Sequence, residues 1–178
     1  LYLQWQVNYS PRTPVWDDPL NQNLMQFDRI FEPIVADNKI FIGFNDQDKV
    51  IALDINSGKE LWHFYTDGPV RMPLAANNGK IYFTSDDGFL YALEPGSGQQ
   101  LWKLEIGNAI TARQALGMRY DYLQSSPVID QGLIYTGSVD GNLYAVDAFT
   151  GQEKWRFQAA GKIRSSPVVA NDLVYAGD

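Results

Sequence analysis

The sequence contains no cysteine and a single histidine, His63. Disulfides, thiolate metal sites and cysteine nucleophiles are thereby excluded, and a histidine-based triad would have only His63 as its base. No Gly-x-Ser-x-Gly elbow accompanies it, and no glycine-rich loop leads from a strand into a helix to cradle phosphate. His63 reads as an exposed strand residue. Cations are in deficit: 14 Lys and Arg against 21 Asp and Glu leave a formal net charge of −7. That balance argues against a nucleic-acid backbone or an anionic membrane surface as the main partner. No apolar run approaches the roughly eighteen residues of a membrane-spanning helix, and no segment of ten or more residues has a convincing helical face. What the 178 residues do hold is 45% apolar residues, five Trp, ten Tyr and fifteen Gly. This composition can bury a real core and favours strands.

The chain repeats itself. Ala52-Leu53-Asp54-Ile55-Asn56-Ser57-Gly58-Lys59-Glu60-Leu61-Trp62 returns as Ala92 to Trp102 and again as Ala145 to Trp155. Each copy has Ala, an acid two residues on (Asp54, Glu94, Asp147), Ser/Thr-Gly, and Trp ten residues beyond the Ala. Successive tryptophans are 40 and 53 residues apart, and Pro33, Pro73, Pro127 and Pro167 recur at 40, 54 and 40. A repeat of about forty residues, the second carrying about fourteen extra, accounts for both series. The extra residues lie between Trp102 and Pro127.

Within a repeat the apolar period is two. Lys39 to Phe44, Lys80 to Thr84 and Leu133 to Gly137 are strand-length β-branched and aromatic runs. So are Lys49 to Leu53, Phe89 to Leu93 and Asn142 to Val146. Asn78-Gly79, Asp87-Gly88, Asp140-Gly141 and the Ser/Thr-Gly pairs punctuate them as turns. The pattern predicts four antiparallel strands per repeat: one from the Pro, one toward the Asp, one through the Ala and one carrying the Trp. Four short strands every forty residues describe an all-β β-propeller, one blade per repeat. Residues 1–30 read as an N-terminal strand and connection, 31–72 as a blade, and 73–126 as a blade with an insertion at about 108–122. Residues 127–166 read as a blade and 167–178 as the start of another. About three and a half blades result, read as part of a seven- or eight-bladed ring.

The recurring residues acquire structural tasks. Each acid can accept amide N–H bonds at its turn. Each Trp buries roughly 150–250 Å², worth on the order of 4–6 kcal/mol gross at about 25 cal/mol per Å². One such ring per blade suits the seam between blades.

The motif Ala-x-Asp-x-x-Thr-Gly-x-x-x-Trp resembles the tryptophan-docking motif of quinoprotein-type propellers with pyrroloquinoline-quinone-like repeats, over about residues 31–178. The departures are Ser57 and Ser97 for Thr and Glu94 for Asp. The resemblance implies a seam in which Trp62, Trp102 and Trp155 pack with Ala52, Ala92 and Ala145 and with Gly58, Gly98 and Gly151. Members include quinone-binding dehydrogenases, an outer-membrane assembly lipoprotein, and binding modules of envelope proteins. Many of the dehydrogenases carry a vicinal cysteine pair, which this chain lacks. They also carry a calcium-linked acidic set, and Asn45-Asp46-Gln47-Asp48 reads instead as a solvated turn without the glycine and terminal Glu of an EF-hand.

The resemblance therefore implies a non-catalytic binding or scaffolding module of the bacterial cell envelope or extracellular space, periplasmic in the first instance, with no cofactor. Under the alternative, a quinone-dependent alcohol or sugar dehydrogenase, pyrroloquinoline quinone and calcium bind to residues outside this stretch.

The connections from each Trp strand to the next inner strand should lie near the channel mouth. Arg71, Arg113, Arg119, Tyr120 and Arg164, with Lys162 and Tyr122, would then form a positive rim for a protein partner or an anionic ligand. A glycan held by Trp16 and the insertion tyrosines is a third reading. Neither a nucleic-acid partner nor membrane insertion is expected.

Overall fold

The computed structural model describes residues 3–9, 32–44, 47–107 and 125–178. Its strands, all antiparallel, form consecutive meanders. The first sheet is β1 (Ile34–Ala36), β2 (Lys39–Phe44), β3 (Lys49–Asp54) and β4 (Glu60–Tyr65), hydrogen-bonded in that order. The second is β5 (Ala75–Asn77), β6 (Lys80–Thr84), β7 (Phe89–Leu93) and β8 (Gln100–Glu105). The third is β9 (Val128–Asp130), β10 (Leu133–Gly137), β11 (Asn142–Asp147) and β12 (Glu153–Gln158). A two-stranded ribbon follows, β13 (Val168–Ala170) with β14 (Leu173–Tyr175). The short first strands β1, β5, β9 and β13 are neighbours in series, so the sheets radiate from them as the blades of a partial β-propeller.

Strand identity follows from the residues. The second and third strands are buried on both faces and read as near-continuous apolar runs (Ile81 to Phe83, Leu90 to Leu93). The fourth strands β4 and β8 alternate: Trp62 and Phe64, or Trp102 and Leu104, are half-buried between exposed neighbours. The core therefore lies between blades. One cluster joins Phe41, Val50 and Ala52 to Ile81, Phe83 and Tyr91; a second joins Tyr82, Leu90 and Ala92 to Ile134, Tyr144 and Val146.

Two local devices recur. Each first-to-second turn has two residues with positive φ: Asp37-Asn38 (46°, 58°), Asn78-Gly79 (47°, 66°), Gln131-Gly132 (46°, 80°) and Asn171-Asp172 (52°, 60°). That is the turn whose twist matches the flanking strands. Each third strand also slips register against its fourth. Ala52 pairs with Trp62 but Leu53 with Glu60; Ala92 pairs with Trp102 but Leu93 with Gln100; Ala145 pairs with Trp155 but Val146 with Glu153. The bulged residue stands directly before each Trp, and the added local twist re-aims the indole.

The proline marker is one residue out in the second blade. First strands start at Ile34, Ala75, Val128 and Val168, directly after Pro33, Pro127 and Pro167 but two beyond Pro73. Buried Leu74 takes the place of the proline there. The first interval is 41 rather than 40 because the β2–β3 hairpin is longer: Phe41 faces Ala52, whereas Tyr82 faces Ala92 and Tyr135 faces Ala145. Residues 3–9 lie outside the sheets.

Candidate functional site

The recurring residues build the seams. Asp54 Oδ1 accepts the Asn56 and Ser57 amides at 3.1 and 2.8 Å and the Ser57 hydroxyl at 2.8 Å. Glu94, one methylene longer, spreads the same bonds over both oxygens, to Gly96, Ser97 and the Ser97 hydroxyl. Asp147 accepts from Phe149 and Thr150. The Ser57 hydroxyl holds Asp54 below the usual carboxylate range, and the Ser97 hydroxyl does the same for Glu94. The Thr150 amide, then Lys154, lowers Asp147 to about 2. These turns present Gly58, Gly98 and Gly151 at φ of 68°, 73° and 73°.

An indole covers each glycine, and for Gly98 and Gly151 it comes from the preceding blade. Trp62 Cε3 lies 2.6 Å from where a Cβ on Gly98 would stand, and Trp102 Cδ2 is as near to that position on Gly151. Trp5, outside the sheets, covers Gly58 in the same way and donates from Nε1 to the Ile55 carbonyl at 2.8 Å. Trp62 donates to Pro95 at 3.0 Å. The matching acceptor for Trp102 is the Ala148 carbonyl, but the Tyr82 hydroxyl donates to it at 2.9 Å, and buried Trp102 Nε1 has no partner. Trp155 is 41% exposed.

The second-to-third turns and the inter-blade connections meet on one face. The Val70 amide donates to Phe44 and the Ile163 amide to Ser138, while their side chains press on Gly43 and Gly137. Ser85 Oγ donates to the Gly68 carbonyl and Ser138 Oγ to Ile106, each at a connection. Tyr91 and Tyr144 donate to Asp87 and Asp140 of the turns below them. Burial first, and then the carboxylate, pushes both phenols up. Burial alone would raise Asp140, but bonds from Tyr144, Asn142 and Ser138 outweigh it and its carboxyl is lowered.

The expected rim cations divide. Arg71 ion-pairs with Asp86 of the next blade's turn, both side chains largely buried (12% and 14% exposed). Arg164 and Lys162 are exposed. Arg113, Arg119 and Tyr120, with Tyr122, lie outside the described residues, as do Trp16 and Asn45-Asp46. Among the described residues this face also carries Asp48, Asp67, Asp86, Asp87, Asp140 and Asp178, so carboxylates stand among its cations. Asp67 belongs to a connection and is visible there, but Asp86 and Asp87 come from a turn 15 to 20 residues away in sequence from the groups they bond, Arg71 and Asp67. His63 is exposed, bonded to Glu60 at 2.8 Å and edge-on to Tyr65. Among the described residues no group of three or more His, Asp or Glu is placed to hold a metal ion.

A family model described as outer membrane protein assembly factor BamB matches residues 3–120 and 88–178. The chain is 29% identical over 160 residues to the dehydrogenase subunit of the quinone alcohol dehydrogenase of Gluconacetobacter polyoxogenes, covering 80% of this chain and 21% of that protein. It is 28% identical over 144 residues to BamB of Legionella pneumophila, covering 81% and 34%. The crystal structure of BamB from Moraxella catarrhalis superposes with a TM-score of 0.64 at 22% identity, covering 78% of this chain and 39% of that one. The chain thus spans about a fifth to a third of the relatives it matches.

Proposed function

We propose that this chain, which belongs to the family of pyrroloquinoline-quinone-like propeller repeats described as outer membrane protein assembly factor BamB, is part of a non-catalytic protein-binding or scaffolding module of the bacterial cell envelope. One observation carries the reading. The residues that recur in every repeat are spent on seams and turns, while the three connections on the turn face differ in charge from blade to blade and the second is longer than the other two. A rigid frame that varies on one face is suited to recognition there. The mixed charges favour a protein surface of complementary pattern over a simple anion. Lys162 and Arg164 are exposed on this face, and recognition of an acidic partner would run through them.

Photo-crosslinking in the full protein tests this. A crosslinking residue at 162 or 164 should capture a protein partner in envelope preparations, and one at exposed Leu61 or Leu101 on the outer strands should not. Lys162→Glu with Arg164→Glu should weaken that capture. Equal capture from both faces would count against the assignment.

A second reading is a quinone-dependent dehydrogenase whose catalytic residues lie elsewhere in the protein, supported by the likeness to the alcohol dehydrogenase subunit. Incubating the full protein with pyrroloquinoline quinone and calcium separates the two: a bound chromophore and dye reduction with alcohols would favour the enzyme.

A further inference from the structure

We infer that the open edge of β4 is a contact between two copies of this protein. The strand pairs antiparallel with its own copy about a two-fold axis at His63, joining two blades into one continuous sheet. This contact is separate from the turn face proposed above for a foreign partner.

β4 is the outer edge of its sheet, which is ordered β1-β2-β3-β4. The Thr66 amide donates to the Asp48 carbonyl at 2.8 Å, and Tyr65 faces Lys49 in register. Antiparallel alternation therefore turns the N–H and C=O groups of Tyr65 and His63 away from β3. Leu61 is the bulged residue. The Trp62 amide of the same peptide points to β3, so the Leu61 carbonyl also faces outward. Leu61 (46% exposed) and Tyr65 (63% exposed) flank exposed His63 along this edge. An edge of this kind is a template for a further strand unless charge guards it. The other two outer strands are guarded: directly after the Trp, β8 holds Lys103 and β12 holds Arg156, where β4 holds His63. Three residues after the Trp, β8 holds Glu105 where β4 holds Tyr65.

Symmetry and charge specify the occupant. A two-fold contact needs a patch that is complementary to itself. Pairing about His63 lets each His63 exchange both backbone bonds with the partner's His63. Each Tyr65 amide then donates to the partner's Leu61 carbonyl, and the exposed apolar residues of the strand, Leu61 and Tyr65, stand opposite each other. Glu60, bonded to His63 at 2.8 Å, lies at the end of the strand and is not set against its own copy. In the same register β8 would oppose Lys103 to itself, and β12 would oppose Arg156 to itself. Because the sheets radiate from the inner strands, neighbouring blades recede from a contact made at the tip of one blade.

The test is sedimentation equilibrium of the full protein over a concentration series up to about 1 mM, a range suited to a small interface. The mean mass should rise with concentration toward that of a dimer. His63→Lys, which copies β8, sets like charges opposite and should weaken association about tenfold or more. Tyr65→Glu, which also copies β8, should weaken it in the same direction, with the circular dichroism of both variants unchanged. A hydrogen-bonded pair holds its Cα atoms about 5.5 Å apart, within reach of a disulfide. His63→Cys should therefore join two copies on oxidation, and Glu60→Cys should not. A crosslinker at Leu61 would likewise join two copies, told from a foreign partner by mass, and Leu101 remains the control for the turn face. A mean mass independent of concentration would overturn the inference. So would association undiminished in both charged variants, equal disulfide formation at 60 and 63, or capture at Leu61 of a foreign protein in place of a second copy.

Discussion

The indole of Trp62 lies on Gly98 so closely that a β-carbon there would come within 2.6 Å of Cε3, and its N–H is bonded to Pro95, three residues before that glycine. Stacking area, hydrogen bond and backbone conformation meet at this one contact. Gly98→Ala adds both a clash and an unfavourable φ of 73°, and should cost about 2–4 kcal/mol. Urea unfolding should show a lower midpoint. Gly79→Ala, also at positive φ but with open space around it, should cost less, about 1 kcal/mol.

Tyr82→Phe should be unusually mild. Removing a buried, bonded hydroxyl ordinarily costs about 1–2 kcal/mol. Here the Ala148 carbonyl it vacates is the acceptor that Trp102 Nε1 lacks. The expected change is below about 0.5 kcal/mol, with a downfield shift of the Trp102 indole proton in NMR as the new bond forms.

Acid should weaken the turns. Asp147 ionises at about 2 in the folded chain against an ordinary 3.8. Its folded value is depressed, so its contribution is complete above pH 3.8 and is lost as pH falls through about 2. Asp54 and Glu94 act in the same sense. Asp147→Asn should flatten the dependence of the urea midpoint on pH across that window; an unchanged slope would refute the assignment.

Arg71 and Arg164 should separate. Arg71→Ala leaves largely buried Asp86 without its ion pair and should cost about 2–4 kcal/mol. Arg164→Ala, on an exposed side chain, should stay within about 0.5 kcal/mol. Paired thermal melts read the difference. For the same reason a binding test on the rim belongs at Lys162 and Arg164, where partner affinity can change without loss of the fold.

The repeat was legible because its parts are local in sequence. Ala52, Asp54, Gly58 and Trp62 lie within eleven residues, and an acid-capped turn ahead of a Trp strand needs only its own neighbours to form. Strand alternation, the hairpin turns and the all-β class follow from the same short-range chemistry. The bulge before each Trp left no such mark, because Lys154 stands in the third repeat where Leu61 and Leu101 stand in the first two. It shows only in the cross-strand register.

What only the tertiary structure decided is which groups meet across blades. The sequence by itself determined that Trp62 needs a partner; packing of one sheet on the next decided that this partner is Gly98, 36 residues on. The rim arginines could be enumerated from the sequence, but their charge could not be judged from it. Arg71 meets Asp86 only when an inter-blade connection folds against the hairpin of the following blade. Electrostatics depends on distance in space, and a propeller sets that distance by stacking repeats, not by spacing within one.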